Sequence, residues 1–367
     1  MAYSLGSTTE TGLEFSTREL TGALGDSVTV LPLIVALAMT TNVSLPHVLI
    51  GFGLFQIVWG LYYGMPLSVE PMKALIGLAI VGALSYSELA AAGLLAGGVL
   101  LVVGRLGLLG RLQRVVGEPV VRGVQFAVAL LLLEAAVGLS LENVSVAVAG
   151  FAVVVVLALV GRQQTSVLVV LALGGVAAIA TAGVPAPRVP ELALFPAGTP
   201  TLSTAALEGT AAQLGMTVGN AAIATALLCG DLYDRDVSAD SLSQSMGVTC
   251  LAAVPIGGVP MCHGSGGLAG KYAFGARTAG ANVLLGVGYL ALALVAAGAL
   301  LAAFPMALLG VLLVVVALEL GRAAFAPVDD GRSLALVVAV GVLGLAVNVG
   351  LAFVLGAVVF WLLSRDE

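Results

Sequence analysis

Charge is the scarcest commodity in this chain. Only 9% of its 367 residues are Asp, Glu, Lys or Arg, against 60% hydrophobic residues, and the mean hydropathy is +1.14. Such a composition excludes a water-soluble globule and leaves a polytopic membrane protein. The 20 acidic and 14 basic residues give a net charge of -6. Most of these charges lie in short loops and tails, so they concern surface solvation and imply no nucleic-acid partner. Cysteine is equally sparse. Cys229, Cys250 and Cys262 lack close-paired metal spacing and two lie in apolar runs, so they are expected to pack, with no metal site and no cofactor. No basic region precedes the first apolar run, and the polar stretch up to about Thr17 does not resemble a cleaved signal peptide. No Gly-x-x-x-x-Gly-Lys-Ser/Thr loop is present, which argues against ATP-driven transport by this chain. No nucleophile, base and orienting group occur together, so an enzyme is not expected.

What remains is lipid-compatible sequence. A bilayer core takes about 20 apolar residues per helical span. Apolar segments fall near 20–40, 47–63, 71–84, 87–104, 119–138, 144–161 and 165–183. A proline-rich linker (Pro185, Pro187, Pro190, Pro196, Pro200) follows. A second series then lies near 206–230, 240–257, 265–277, 281–302, 305–321, 332–346 and 348–364. The expectation is an all-α protein of about 14 segments in two repeats, 1–183 and 204–367, joined by linker 184–203. Seven spans per repeat force opposite orientations, so the repeats are inverted. Two matches support this: Asp26 with Asn220, and Pro66 with Pro260, both 194 positions apart (26 to 220, 66 to 260). Basic residues favour cytoplasmic loops. With both termini inside, Arg105, Arg111, Arg114, Arg122, Arg162, Arg235, Arg277, Arg322, Arg332, Arg18 and Arg365 all fall on the cytoplasmic side, and Arg188 falls outside.

The third and tenth segments are the short ones. Each follows a polar break, Gly-Met-Pro-Leu-Ser-Val-Glu-Pro-Met-Lys at 64–73 and Gly-Val-Pro-Met-Cys-His-Gly-Ser-Gly-Gly at 258–267. Pro71 suits a first helical turn with Glu70 at or near the cap, and Ser265 suits a cap in the second half. Two half-helix N-termini facing one cavity would present N-H donors and partial positive charge, a setting for an oxyanion. Ser68, Glu70, Lys73, His263, Gly264, Ser265, Gly266 and Gly267 are therefore candidate substrate contacts. Gln213, Thr217 and Asn220 join them from one face of the eighth segment. Glycines in membrane helices also serve close packing, and His263 is as readily a hydrogen-bonded packing residue. Ionisable residues inside spans are costly and so draw functional interest. Asp26 and Glu70 are the candidate coupling groups, although Asp26 also suits bracing a broken helix and Lys73 equally suits a helical partner of Glu70. Glu134 and Glu319 lie toward helix ends.

At these residues the chain resembles the molybdate transporters related to sulfate permeases. The stretches Glu19–Asp26, Met65–Lys73, Pro119–Gln125 and Met261–Arg277 carry the resemblance, which spans essentially the whole chain. It implies a fold shared with sulfate and uracil permeases, with a core of segments one to four and eight to eleven moving against a gate of the rest. The chain departs from that family in having Glu70 where glutamine is usual. It also lacks the cytoplasmic regulatory domain of many sulfate permeases, which favours the molybdate branch. The function expected is secondary active uptake of molybdate across the plasma membrane, with a proton or other cation. Sulfate or general oxyanion transport is the first alternative and nucleobase transport the second. A homodimer through the non-core segments is expected by analogy only.

Overall fold

The computed structural model describes residues 13–191, 193–296, 298–326 and 328–364, with the side chains of residues 113–115 and 220 outside that description. Asn220 and Arg114 therefore enter only through their backbones, and Arg365 lies outside the described residues.

The first half contains α1 (Thr17–Thr40), α2 (Leu45–Tyr63), α3 (Lys73–Ile80), α4 (Tyr86–Arg105), α5 (Leu109–Val116), α6 (Glu118–Leu141), α7 (Val144–Leu159) and α8 (Gln163–Ala182). The second contains α9 (Thr204–Met216), a wider π-type turn (Thr217–Ile223), α10 (Ala224–Tyr233), α11 (Ala239–Ala253), α12 (Ser265–Ala273), α13 (Gly280–Val295), α14 (Gly298–Ala303), α15 (Met306–Phe325), α16 (Gly331–Ala346) and α17 (Val349–Leu363). Helix covers every apolar interval of the sequence. Among the described residues, seven helices or helix runs are long and apolar enough to cross a bilayer: α1, α2, α4, α6, α8, the run from α9 to α10, and α15. Exposed valines and leucines on α7, α8 and α17, such as Val155, Val156, Val176, Val354 and Val358, form the apolar surface that lipid requires.

Several helices start where a short polar side chain satisfies first-turn N-H groups. Ser85 and Glu88 form a capping box at α4, and Asn143, Ser203, Ser238, Asp330 and Asn348 cap α7, α9, α11, α16 and α17. Four elements differ from the sequence expectation. The short helix α5 lies between α4 and α6, too short and too charged to register as a span. The eleventh segment is broken into α13 and α14. The third segment begins later than Pro71 suggests, α3 starting at Lys73 with Met72 as N-cap, whereas the tenth begins one residue earlier than a Ser265 cap would set it, because Gly264 is the N-cap of α12 and Ser265 its first helical residue.

The packing has the pattern of an inverted repeat. Exchanging each helix for its counterpart in the other half turns most major contacts into another observed one, the α3–α6 contact being an exception. The α4–α11 contact becomes α13–α2, α1–α12 becomes α9–α3, α7–α8 becomes α16–α17, and α16–α6 becomes α7–α15, while α6–α15 maps onto itself. Small residues allow the closest approaches. Gly53 lies against the Gly286 carbonyl and Gly60 against Asn282 where α2 meets α13, and Gly97 and Gly247 face each other where α4 meets α11. On the self-equivalent axis stands a two-residue antiparallel ladder. β1 (Glu70–Pro71) pairs with β2 (Met261–Cys262), Glu70 opposite Cys262. Glu70 and Cys262, like the starts of α3 and α12, are 192 positions apart (70 to 262, 73 to 265), while the other ladder pair, Pro71 and Met261, is 190 apart (71 to 261).

Candidate functional site

The two short helices leave the β1–β2 ladder in opposite senses, and their N-termini are treated differently. At α3, Gln213 reaches across from α9. Its Oε1 accepts from the N-H of Ala74 at 2.9 Å and of Leu75 at 3.4 Å, while its Nε2 donates to Thr217 Oγ1 at 2.9 Å. A neutral side chain thus caps α3. At α12 the cap is a charge: Glu70 Oε1 accepts from the N-H of Gly267 at 2.7 Å. Its other oxygen lies 2.6 Å from Lys73 Nζ. The carboxylate fits because Gly264 and Gly267 lack side chains; a Cβ at either would collide with it. The N-H groups of Ser265 and Gly266 find no acceptor among the described residues.

These groups face a cavity of about 510 Å³. One wall comes from α1 (Gly25, Val28, Thr29), Glu70, Lys73, Cys262, Gly264, Ser265 and Gly266. The other comes from α6 and α15 (Arg122, Gln125, Val316, Glu319, Leu320, Arg322), with Gln164, Gln213 and Met216. Lys73 keeps 19% of its side chain accessible, and Gly266 is exposed with open space above it. Arg122 is held by Glu118 at 3.1 Å and by Gln125 Oε1 at 3.2 Å, and its buried Nε has no partner among the described residues. A row of N-H donors with ammonium and guanidinium groups can bind an anion; the carboxylates among them, Glu70 and Glu319, set a competing negative charge.

The sequence candidates divide accordingly. Glu70, Lys73, Gln213, Gly264, Ser265 and Gly266 line the cavity. Ser68, Thr217, His263 and Gly267 are buried away from that lining. Ser68 donates to Asp26 Oδ1. His263 has Nδ1 2.9 Å from the Ser68 carbonyl and Nε2 2.7 Å from Ser245 Oγ, with its ring edge-on to Trp59 and Tyr63. Both ring nitrogens are therefore satisfied within the protein. Asp26 is fully buried and bound by Ser68, Gln56 and Lys271. Glu134 is exposed on α6. The sequence reading did not select Lys271, Gln56 or Asn282 of this inner network, nor Arg122, Gln125 and Arg322 of the far wall. Lys271 carried a usable signal as a lone lysine within an apolar segment.

Comparison with known proteins agrees with this architecture. A family model described as "Molybdate transporter of MFS superfamily" matches residues 18–132 and 205–320, stretches that begin at the starts of α1 and α9. The chain is 29% identical to Molybdate transporter 2 of Arabidopsis thaliana, covering 94% of this chain and 87% of that protein. It is 28% identical to Molybdate transporter 1 of Chlamydomonas reinhardtii, covering 95% and 92%. Among solved structures, the transmembrane domain of the cyanobacterial bicarbonate transporter BicA superposes with a TM-score of 0.67 at 18% identity, over 92% of this chain and 97% of that one. The murine Slc26a9 anion transporter in its inward-facing state gives 0.69 at 13% identity, over 96% and 69%.

Proposed function

Because the chain belongs to the molybdate transporter family, we propose that it is a secondary transporter that carries molybdate into the cell together with protons. The carrying observation is the cavity, which offers Lys73 and the unpaired N-H groups of Ser265 and Gly266 to a tetrahedral oxyanion. In this reading all fourteen apolar segments span the membrane as two inverted repeats, 1–183 and 204–367, and α3 and α12 are half-helices meeting near its middle. The core is α1–α4 with α9–α14, and the gate is α6–α8 with α15–α17. The cavity lies between them, so sliding of the core against the gate would carry the anion from one side to the other. The solved structures it resembles are a bicarbonate transporter and an anion transporter, which supports an anion as cargo.

Coupling is assigned to Glu70. A dianion entering a negative cell interior opposes the potential by about 2.3 kcal/mol per charge per 100 mV, so cations must accompany it. Glu70 stands in the cavity and holds Lys73. Protonating it would remove its repulsion of the oxyanion and release the lysine to the substrate. Asp26 meets three donors and no acceptor, an arrangement that favours a permanent carboxylate over a proton carrier. The cavity's far wall carries Arg122, Gln164 and Arg322, next to the arginine-rich loops, which by the positive-inside rule supports an inward-facing conformation with cytoplasmic termini; the membrane proposed is the plasma membrane. The apolar gate surface would pair two copies or face lipid.

The test is uptake of labelled molybdate by purified protein in proteoliposomes, with sulfate as competitor and an inward proton gradient. Saturable uptake that resists excess sulfate and rises with the gradient is expected. Displacement by sulfate would make it a general oxyanion permease, and no uptake of either anion would remove the reading.

A further inference from the structure

Behind the α3–α12 junction, on the side away from the cavity, a lysine ammonium stands in a cage of oxygens. Lys271 of α12 is fully buried. Its Nζ lies 2.6 Å from Asn282 Oδ1, 2.9 Å from Gln56 Oε1, 3.2 Å from Asp26 Oδ2 and 3.4 Å from the Leu67 carbonyl. These oxygens come from α13, α2, α1 and the irregular segment that precedes β1. The hydrogen-bond pattern fixes both amides. Asn282 Nδ2 donates to the carbonyls of Gln56 and Leu67, and Gln56 Nε2 donates to Asp26 Oδ2 and the Val69 carbonyl. Each amide must therefore turn its oxygen toward Lys271.

Every atom facing the nitrogen is an acceptor. A neutral amine has a lone pair that would oppose one of these oxygens, whereas an ammonium has three protons for the three nearest. The charged form is the one this geometry accommodates, and Asp26 is its counter-charge. One carboxylate, two amide oxygens and a backbone carbonyl also make a donor set suited to a hard cation.

We propose that this cage is a monovalent-cation site whose occupant is the chain's own Lys271. A tethered ammonium fills the place that a free sodium, potassium or ammonium ion would take, so the core carries its cation covalently and needs none from solution here. The cage stands apart from the transport reading. Only the consequence rests on that reading: the Asp26–Lys271 pair contributes no net charge to the transport cycle, leaving coupling to groups in the cavity.

The test is thermal melting of purified full-length protein in detergent, with sodium, potassium, ammonium or methylammonium chloride compared with choline chloride at equal ionic strength. Wild type is expected to melt alike in all five. Lys271→Ala is expected to melt lower in choline and to recover, saturably and by at least about 2 °C, with one of the small cations. Equal melting of the variant and wild type in choline, or no cation acting beyond choline, would overturn the proposal. If Lys271→Ala cannot be recovered folded, Asp26→Asn is compared with the double variant Asp26→Asn/Lys271→Gln. The single variant strands an unpaired ammonium and should melt below the double; the reverse order overturns the counter-charge and with it the cage. Wild-type protein that takes up no molybdate while its variants melt as expected would fault the transport reading and leave the cage standing.

Discussion

Glu70 of β1 and Lys73, the first residue of α3, are three positions apart and in contact at 2.6 Å, so a change at either alters the charge offered to an anion. Replacing Lys73 with Met removes the one ammonium in the cavity. Loss of a charge-assisted hydrogen bond of about 1.5–3 kcal/mol corresponds to a rise in KM of about 10- to 100-fold for molybdate uptake. Uptake kinetics at fixed gradient would measure it, and an unchanged KM would place the substrate elsewhere. Glu70→Gln keeps an acceptor for the Gly267 N-H but cannot exchange a proton. Its uptake is expected to lose its dependence on the proton gradient while saturable molybdate binding persists. A retained gradient dependence would transfer coupling to another group. The two substitutions thus separate affinity from coupling, although the residues form one ion pair.

The helix starts explain why these residues stand where they do. Gln213 supplies from α9 the cap that α3 lacks in its own sequence. Gln213→Leu would leave the Ala74 and Leu75 N-H groups unpaired, a loss of about 1–3 kcal/mol per buried group, and a lowered melting temperature with reduced uptake is expected. Gly267→Ala would put a methyl group where Ser68, Asp26 and Glu70 converge and should displace α12, abolishing uptake more completely than Gly266→Ala, whose site is open. Equal uptake by the two alanine variants would show that this convergence does not matter. Much of this level was legible beforehand. Helix lengths follow from apolar run lengths, and the paired breaks at 64–73 and 258–267 located both short helices. The caps were not legible, because Pro71 and Ser265 satisfy local rules while the true partners of α3 come from 139 and 138 positions away. The same holds for Lys271, whose acceptors sit on four other segments. The two-residue ladder left no period to detect, and α5 was too short.

At the scale of the whole molecule, the cavity lies between residues of α1 and α12 on one side and of α6 and α15 on the other, where the proposed core and gate would part. Gly22 of α1 lies against Ala276, just past the end of α12, and Gly25 against Gly270 of α12, and the buried polar network ties α1, α2, α12 and α13 together, so the short-helix pair should move as one unit. On the opposite wall α6 and α15 make one of the most extensive helix contacts in the protein. If the gap opens toward the cytoplasm, a thiol at the exposed α12 N-terminus is reachable from that side alone. Gly266→Cys, placed in a Cys262→Ser background because Cys262 also lines the cavity, tests this in oriented vesicles. Cys229 and Cys250 are buried outside that lining. A membrane-impermeant maleimide is expected to label the new thiol from the cytoplasmic face, and molybdate to slow that labelling. Labelling from the outer face would invert the topology that the arginines support. Labelling indifferent to molybdate would detach the α12 N-terminus from the substrate path, because an oxyanion bound to the Ser265 and Gly266 N-H groups must cover that position.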